Sequence, residues 1–254
     1  MITNYQALCV IYYDLDKPFP PYEEYHFYLS YLEKYKDDIL EPMCGSGRFL
    51  IPLLKAGYQI DAFDASIPML NALKMQINKE NLSLNYSCCL FNEFVFHKKY
   101  NLIYIPSASL SLLYQKNEFE KAIKIIYDNL QNTGSFVFEV ETPEILEKSK
   151  LDFKLISNHF IAINENEKII GSFINHSYIN NILTISCRYD LIQNDIMTRT
   201  EFEDITIKLF TYEKIISILE KIGFTVICYK NFQKDIYNKK EKLPKLLILE
   251  CIKK

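Results

Sequence analysis

The sequence has no tryptophan, only six glycines and only four histidines among its 254 residues. The histidines lie far apart, at His26, His97, His159 and His176, and none has a spacing typical of metal ligands, so we expect no metal site. Seven cysteines are present, an odd number, and they include no Cys-x-x-Cys pair. This argues against a disulfide framework and predicts a protein of the reducing cytoplasm.

Strong net charge and long apolar runs are also missing. The formal charge is -3, so the chain offers no net field that would attract a phosphate backbone, and we expect no nucleic-acid partner. The longest apolar run near the start, residues 7–13, follows no basic leader. Because a span needs about 20 apolar residues, we expect no membrane partner.

Hydrophobic residues make up 49% of the sequence, enough for a sizeable core. Their spacing predicts a helix over 22–36 and then strands that alternate with helices, an arrangement typical of a parallel sheet covered on both faces. Gly57 and Gly223 are expected to end helices, Ser66 to cap one, and residues 131–134 to form a turn. The predicted strands cover 37–42, 58–64, 84–91, 100–106, 135–141, 224–232 and 245–254, and the further helices 48–56, 66–78, 116–130 and 211–222.

The rhythm changes after the fifth strand, where short β-prone runs are separated by turn signals such as Asn180-Asn181. The fold class is therefore α/β: a doubly wound, mostly parallel, seven-stranded Rossmann-like sheet with an antiparallel β excursion after strand five. We expect residues 1–36 to form an N-terminal cover segment and helix. We expect residues 37–150 and 207–254 to form a Rossmann-like ligand-binding domain, and residues 151–206 to form an antiparallel β insertion that serves as a substrate lid.

The stretch Glu41-Pro-Met-Cys-Gly-Ser-Gly joins the first predicted strand to a helix. Gly45 and Gly47 let a ligand approach the backbone, and the first helical turn offers unpaired N–H groups. Asp64 ends the second strand, where a carboxylate can accept hydrogen bonds from the two hydroxyls of a ribose. Together these positions predict a site for an adenosine-type nucleoside.

A dinucleotide site usually has a third glycine three residues after the second, and Leu50 stands there. Glu41 would repel a pyrophosphate but attract the ammonium group of an amino acid. Adenosine joined to an amino acid describes S-adenosylmethionine. An NAD-dependent oxidoreductase stays open as a less favoured alternative.

In these residues the sequence resembles the class I S-adenosylmethionine-dependent methyltransferases, particularly their small-molecule branch. The resemblance rests on Glu41, on Gly45 and Gly47, and on the run Asp64-Ala-Ser-Ile-Pro-Met-Leu, and it covers about residues 10–142 and 207–254. Met43 replaces the family's first glycine. The resemblance implies S-adenosylmethionine as cofactor and a binding site made of Tyr13, Glu41, Pro42, Met43, Gly45, Gly47, Arg48, Asp64, Ala65, Met69, Leu90, Phe91 and Pro106.

The acceptor is predicted to be a small molecule, methylated at nitrogen or oxygen. A methyl acceptor can need a group that removes a proton, and the leading candidates are Tyr13, His176, Tyr178 and Arg188. Further candidates on the cover and the excursion are Tyr12, Tyr22, His159 and Tyr189. Two alternatives remain: a catalytically inactive methyltransferase-like binding or regulatory protein, and an RNA or protein methyltransferase. The excursion also offers faces through which a homodimer could form.

Overall fold

The computed structural model describes residues 5–146 and 157–253, and it leaves out the side chains of 157 and 174–176. The helices are α1 (Ala7–Asp16), α2 (Tyr22–Tyr35), α3 (Leu50–Lys55), α4 (Ile67–Glu80), α5 (Glu118–Asn129) and α6 (Tyr212–Ile222). The strands are β1 (Ile39–Pro42), β2 (Ile60–Asp64), β3 (Asn85–Cys88), β4 (Tyr100–Ile105), β5 (Leu130–Glu141), β6 (Ser157–Ala162), β7 (Glu167–Ile179), β8 (Ile182–Gln193), β9 (Ile196–Lys208), β10 (Phe224–Tyr229) and β11 (Leu246–Lys253).

The main sheet has seven strands in the order β10-β11-β5-β4-β1-β2-β3. Neighbouring strands among β1 to β5 are parallel, and β11 runs antiparallel to both β10 and β5. This is the predicted doubly wound sheet, and the prediction of its fold class is confirmed. The order reverses beside β1 and β4, where sheets of this type bind ligands at the carboxyl ends of their strands.

Apolar residues pack on both faces of the main sheet. One face carries Phe119 of α5 and Leu219 of α6, and the other carries Leu32 of α2, Leu50 of α3 and Leu73 of α4. All five side chains are fully buried. The strands between them are apolar along most of their length because both faces are covered.

The predicted helix ends are confirmed. Ser66 caps α4 by accepting a hydrogen bond from the Met69 N–H at 3.3 Å. Gly57 and Gly223 follow the last residues of α3 and α6 with φ values of 92° and 120°, a conformation that glycine adopts without strain. Residues 131–134, predicted as a turn, lie within the bounds of β5, where they form an irregularity between the paired residues Leu130 and Ser135, and Thr133 has a φ of 66°.

The β excursion forms a separate four-stranded antiparallel sheet, β6-β7-β8-β9. Asn180 and Asn181 join β7 to β8 with positive φ values, as a tight hairpin requires. Helix α1, which the sequence patterns did not predict, packs on this second sheet through Leu8 and Tyr12. Within the described residues, no helix is long and apolar enough to cross a membrane.

Candidate functional site

The turn after β1 lies at the carboxyl edge of the main sheet. The Gly45 N–H donates to Asp64 Oδ2 at 2.8 Å, and the Cys44 N–H donates to the Phe63 carbonyl at 3.2 Å. These bonds fasten the turn to the end of the neighbouring strand β2. Gly45 and Gly47 have φ values of 55° and 90°, so the turn uses the conformational freedom of both glycines.

The two glycines differ in their surroundings. A Cβ atom on Gly47 would lie 2.5 Å from Leu73 Cδ1, so this glycine is needed for the close packing of the turn against α4. A Cβ atom on Gly45 would meet Met69 Sδ at 3.8 Å, an ordinary contact distance. The surrounding protein atoms would therefore leave room for a Cβ atom at Gly45. The space beside it suits the approach of a ligand.

Asp64 holds the end of β2 in place with both carboxylate oxygens. Besides the bond from Gly45, its Oδ1 accepts from the Ser66 N–H at 2.7 Å. Burial raises the pKa of Asp64, and the N–H groups of Ser66, Gly45 and Ala65 act in the opposite direction. Each carboxylate oxygen has a second lone pair, so Asp64 can accept further hydrogen bonds from a ligand.

Glu41 is 1% exposed at the end of β1, and the Tyr104 hydroxyl donates a hydrogen bond to it. Burial raises the pKa of Glu41 to about 8, while the Tyr104 hydrogen bond lowers it and the nearby Asp64 raises it. A buried carboxyl of this kind gains most from a cationic partner. The site can therefore hold an ammonium group beside the glycine turn.

Met43 has a φ of 57°, unusual for a residue with a side chain, and it occupies the position of the family's first glycine. Its side chain is half-buried and packs against the core that contains α5 and α6. Glu41 and Tyr104 lie on the opposite face of the sheet, with α2 and α3. The Met43 side chain thus points away from the Glu41 carboxyl.

Three apolar residues predicted to contact the cofactor, Met69, Leu90 and Phe91, lie near the loops after β2 and β3. Met69 is buried beside Gly45, whereas Leu90 is 42% exposed in the loop after β3. Phe91 packs edge-on against Phe63 with ring centroids 5.1 Å apart. Pro42 and Pro106 are buried at the ends of β1 and β4.

Helix α1 lies across the glycine turn. The Ser46 hydroxyl donates to Asp14 Oδ1 at 2.5 Å, and Arg48 Nη1 donates to the Tyr13 hydroxyl at 3.4 Å. Burial raises the pKa of Tyr13, with Arg48 opposing the rise, so the phenol keeps its proton near neutral pH. Tyr13 can donate a hydrogen bond there and is a poor base.

The remaining catalytic candidates lie on the second sheet or at exposed positions. Arg188 pairs with Asp190 at 2.9 Å on the face of the sheet opposite to α1, and the Tyr178 hydroxyl donates to Asn181 within its own hairpin. Tyr12 and Tyr189 pack together under α1, with ring centroids 5.4 Å apart. Tyr22 and His159 are exposed, and the side chain of His176 lies outside the described residues.

Four residues at the same edge carry no role in the sequence prediction: Glu24, Tyr28, Tyr104 and Glu139. The Tyr28 hydroxyl donates to Glu139, and Glu24 Oε2 lies 4.0 Å from Arg48 Nη2. Two hydrogen-bonded pairs, Tyr28 with Glu139 and Tyr104 with Glu41, are buried on the same face of the sheet. An i, i+4 spacing of Glu24 and Tyr28 on the apolar face of α2 is the one sequence signal that could have identified two of them.

A groove of about 600 Å³ lies elsewhere, and its lining includes Asp61, Asn85 and Tyr100. These residues stand at the amino-terminal parts of β2, β3 and β4. Because ligands of such sheets bind at the carboxyl ends of the strands, we do not assign the groove to the site.

Comparison with known proteins agrees with this geometry. Residues 39–134 match the model of the methyltransferase domain family. This stretch contains β1 to β4, the glycine turn and the Asp64 end of β2. No curated protein matches the chain in sequence.

Solved structures share the fold along nearly the whole chain. An S-adenosylmethionine-dependent methyltransferase from Clostridium acetobutylicum is 14% identical with a TM-score of 0.76, and the match covers 96% of each chain. The sugar N-methyltransferase KedS8 from Streptoalloteichus sp. is 13% identical with a TM-score of 0.77, covering 100% of this chain and 96% of its own.

A third structure, the amino pentose methyltransferase CalS10 from Micromonospora echinaspora with bound S-adenosylmethionine, is 12% identical. Its TM-score is 0.69, and the match covers 99% of this chain and 98% of that one. Residues 39–134 therefore match the methyltransferase domain family, and the chain as a whole shares the fold of S-adenosylmethionine-dependent methyltransferases.

Proposed function

We propose that this protein transfers a methyl group from S-adenosylmethionine to a nitrogen or oxygen atom of a small molecule. The observation that carries the proposal is the pair of acids, the buried Glu41 and the half-buried Asp64, on either side of a glycine turn at the carboxyl edge of the sheet. Two carboxyl groups so placed match the two polar ends of an adenosylated amino acid.

The residues present fit this cofactor. The buried Glu41 carboxyl would receive the amino group of the methionine part, and Asp64 would accept from the ribose hydroxyls. The backbone at Gly45 and Gly47 would lie along the cofactor. Further contacts are proposed for Tyr13, Pro42, Met43, Arg48, Ala65, Met69, Leu90, Phe91 and Pro106.

When bound, the cofactor supplies a methyl group made reactive by the sulfonium. The protein then has to align the acceptor with that group and keep water out, and it needs no covalent nucleophile. Helix α1 supports this role, because its hydrogen bonds from Ser46 and Arg48 hold it over the turn.

A small acceptor is favoured by this cover and by the net charge of -3, which does not attract nucleic acid. Two proteins of the same fold, the sugar N-methyltransferase KedS8 and the amino pentose methyltransferase CalS10, are named for small acceptors. We therefore propose amino sugars and related hydroxyl compounds as the first acceptors to test.

The test has two stages, of which the first is cofactor binding. Titration calorimetry with S-adenosylmethionine should show binding to the wild type and about tenfold or weaker binding to Asp64→Asn, because the variant loses a charged acceptor. Asp61→Asn makes the same change three residues earlier in β2, away from the carboxyl edge, and should bind like the wild type. Absence of binding to the wild type would remove the proposal.

The second stage measures transfer of a radiolabelled methyl group to a panel of amino sugars and their hydroxyl analogues. Product is expected with at least one member of the panel. Tight cofactor binding without transfer to any compound, including RNA and protein acceptors, would instead favour a binding or regulatory protein.

A further inference from the structure

Strand β4 ends in a turn with unusual backbone geometry. Ser107 and Ala108 have φ values of 60° and 49°, so two consecutive residues with side chains adopt the left-handed conformation. This costs about 1–2 kcal/mol for each residue, and surrounding contacts must hold such a turn in place. The turn lies at the carboxyl edge of the sheet, next to the end of β1.

Two carboxyl groups from different elements hold this turn. The Ser107 N–H donates to Glu24 Oε1 of α2 at 3.1 Å, and the Ala108 N–H donates to Glu139 Oε1 of β5 at 3.0 Å. The other oxygen of Glu139 accepts from the Tyr28 hydroxyl, one turn further along α2 than Glu24. Every N–H group of the strained turn is thus taken by a carboxyl oxygen.

The two acids are buried together, with 7% exposure for Glu24 and 1% for Glu139. Burial raises the pKa of Glu139 well above its ordinary value, and the neighbouring Glu24 raises it further. Arg48 Nη2 lies 4.0 Å from Glu24 Oε2. Two carboxyl groups this close repel each other less when one of them keeps its proton.

We propose that Glu24 and Glu139 are positioning residues that fix the Ser107–Ala108 turn as one wall of the acceptor site. Ser107 is exposed at the tip of this turn, whereas Ala108 is buried beneath it. The acceptor would meet the Ser107 side chain and the peptide groups of the turn. This inference rests on the proposed function, but its test does not depend on turnover.

The test measures hydrogen exchange of the Ser107 and Ala108 amides in the intact protein by mass spectrometry or NMR. In Glu24→Ala the Ser107 amide should exchange about tenfold faster or more, and in Glu139→Ala the Ala108 amide should do the same, because each amide loses its carboxyl oxygen acceptor. Glu139→Gln keeps an oxygen for the Ala108 N–H and stays neutral, so slow exchange should be retained. Glu23→Ala, an exposed neighbour in α2, is the matched control and should behave like the wild type.

The pH profile separates positioning by the pair from general support of the fold. In the wild type, exchange corrected for its intrinsic pH dependence should speed up as Glu139 loses its proton, because two negative charges then repel each other. The charged or titratable groups that face the pair are Tyr13, Tyr28, Glu41 and Arg48. In Glu139→Gln this acceleration should be absent, and the wild-type profile serves as the test even if an alanine variant fails to fold.

Unchanged amide exchange in folded Glu24→Ala and Glu139→Ala, or an identical pH profile in Glu139→Gln, would overturn the inference. Calorimetry with S-adenosylmethionine on Glu139→Ala should give an affinity within about twofold of the wild type, since the Ser107–Ala108 turn is proposed to contact the acceptor and not the cofactor. Lack of cofactor binding by the wild type would contradict the proposed function. The amide-exchange result would still show whether Glu24 and Glu139 fix the Ser107–Ala108 turn. Where an acceptor is found, its KM should rise more than kcat falls.

Discussion

At the scale of single residues, Glu41 couples the site to pH. Its carboxyl lies among four titratable groups, Asp64, Tyr104, Cys44 and Tyr28. In the folded protein it keeps its proton up to a pKa of about 8, against an ordinary value of 4.5. The free energy of unfolding should therefore fall as pH rises from about 4.5 to about 8, because the unfolded chain releases this proton more readily.

The same shift predicts how cofactor affinity depends on pH. An ammonium group needs the charged form of Glu41, so binding below pH 8 must release a proton, and affinity should rise by up to about tenfold per unit between pH 6 and 7.5. Above about pH 8 the α-amino group of the ligand loses its own proton, and affinity should level off or fall.

Calorimetry in two buffers with different ionisation enthalpies would detect the released proton directly. Glu41→Gln stays neutral at every pH, so its cofactor affinity should be at least about tenfold lower at pH 7.5, with no proton release. Glu41 would not be the ammonium site if the wild type and Glu41→Gln released the same number of protons.

At the scale of elements, the glycine turn depends on close packing between the turn, α3 and α4. In Gly47→Ala the new methyl group would lie 2.5 Å from Leu73 Cδ1 and 3.0 Å from Ile51 Cγ1, with φ at 90°. We expect a loss of about 2–4 kcal/mol in the free energy of unfolding, from overpacking and backbone strain together.

Gly57→Ala is the matched control for this change. Its φ is 92°, nearly the same as that of Gly47, but its Cβ atom would meet nothing within 4 Å. Backbone strain alone should cost about 1–2 kcal/mol. Urea denaturation of the two variants separates strain from packing, and equal midpoints would mean that the contact with Leu73 carries no cost.

Much of the element order could be predicted because each signal was local. Apolar runs that alternate with helical patterns indicated the strands of the main sheet. Ser66 indicated a helix start through its capping hydroxyl, and Gly57 and Gly223 indicated helix ends through their tolerance of positive φ. Helix α1 was missed because its partner is the distant second sheet, which no local pattern reveals. Residues 131–134 do not separate helix from strand as a turn, because β5 already begins at Leu130, which pairs with Tyr100, and the four residues form an irregularity before pairing resumes at Ser135.

The residues of the candidate site likewise fall into those that local sequence signals indicated and those that they did not. Glu41 and Asp64 were predictable because they stand at strand ends beside a glycine turn. Glu24 looked like an ordinary polar residue at the start of a helix, and Glu139 lay in the fifth predicted strand without a role of its own. Their burial together depends on how α2 crosses β4 and β5, which only the tertiary structure supplies.

At the scale of the whole molecule, α1 connects the second sheet to the glycine turn. Its first N–H groups donate to acids of β9, Gln6 to Glu203 at 3.1 Å and Leu8 to Glu201 at 2.8 Å. Negative charge at the start of a helix is stabilising. Near its other end, Asp14 accepts a hydrogen bond from Ser46 of the turn. We propose that residues 5–16 cover the cofactor and that the second sheet holds them there.

Gly171→Ala tests this cover without touching the turn. Gly171 lies in β7 under the ring of Tyr12, and a Cβ atom there would approach Tyr12 Cε2 to 2.5 Å. Since the ring would have to move, α1 should separate from the second sheet, and amide exchange over residues 7–16 should rise by about tenfold or more. If α1 covers the cofactor, S-adenosylmethionine should also dissociate faster.

Ser172→Ala, the next residue of β7, points to the opposite face and should leave both measurements unchanged. Stopped-flow measurement of cofactor release, together with exchange mass spectrometry, gives the two readouts on the same variants. Faster exchange in α1 with an unchanged release rate would mean that the helix is only a brace between sheet and turn. Faster cofactor release in Gly171→Ala, but not in Ser172→Ala, would show that a contact in the second sheet affects cofactor retention at the edge of the main sheet. This is the result expected if the second sheet holds α1 over the cofactor.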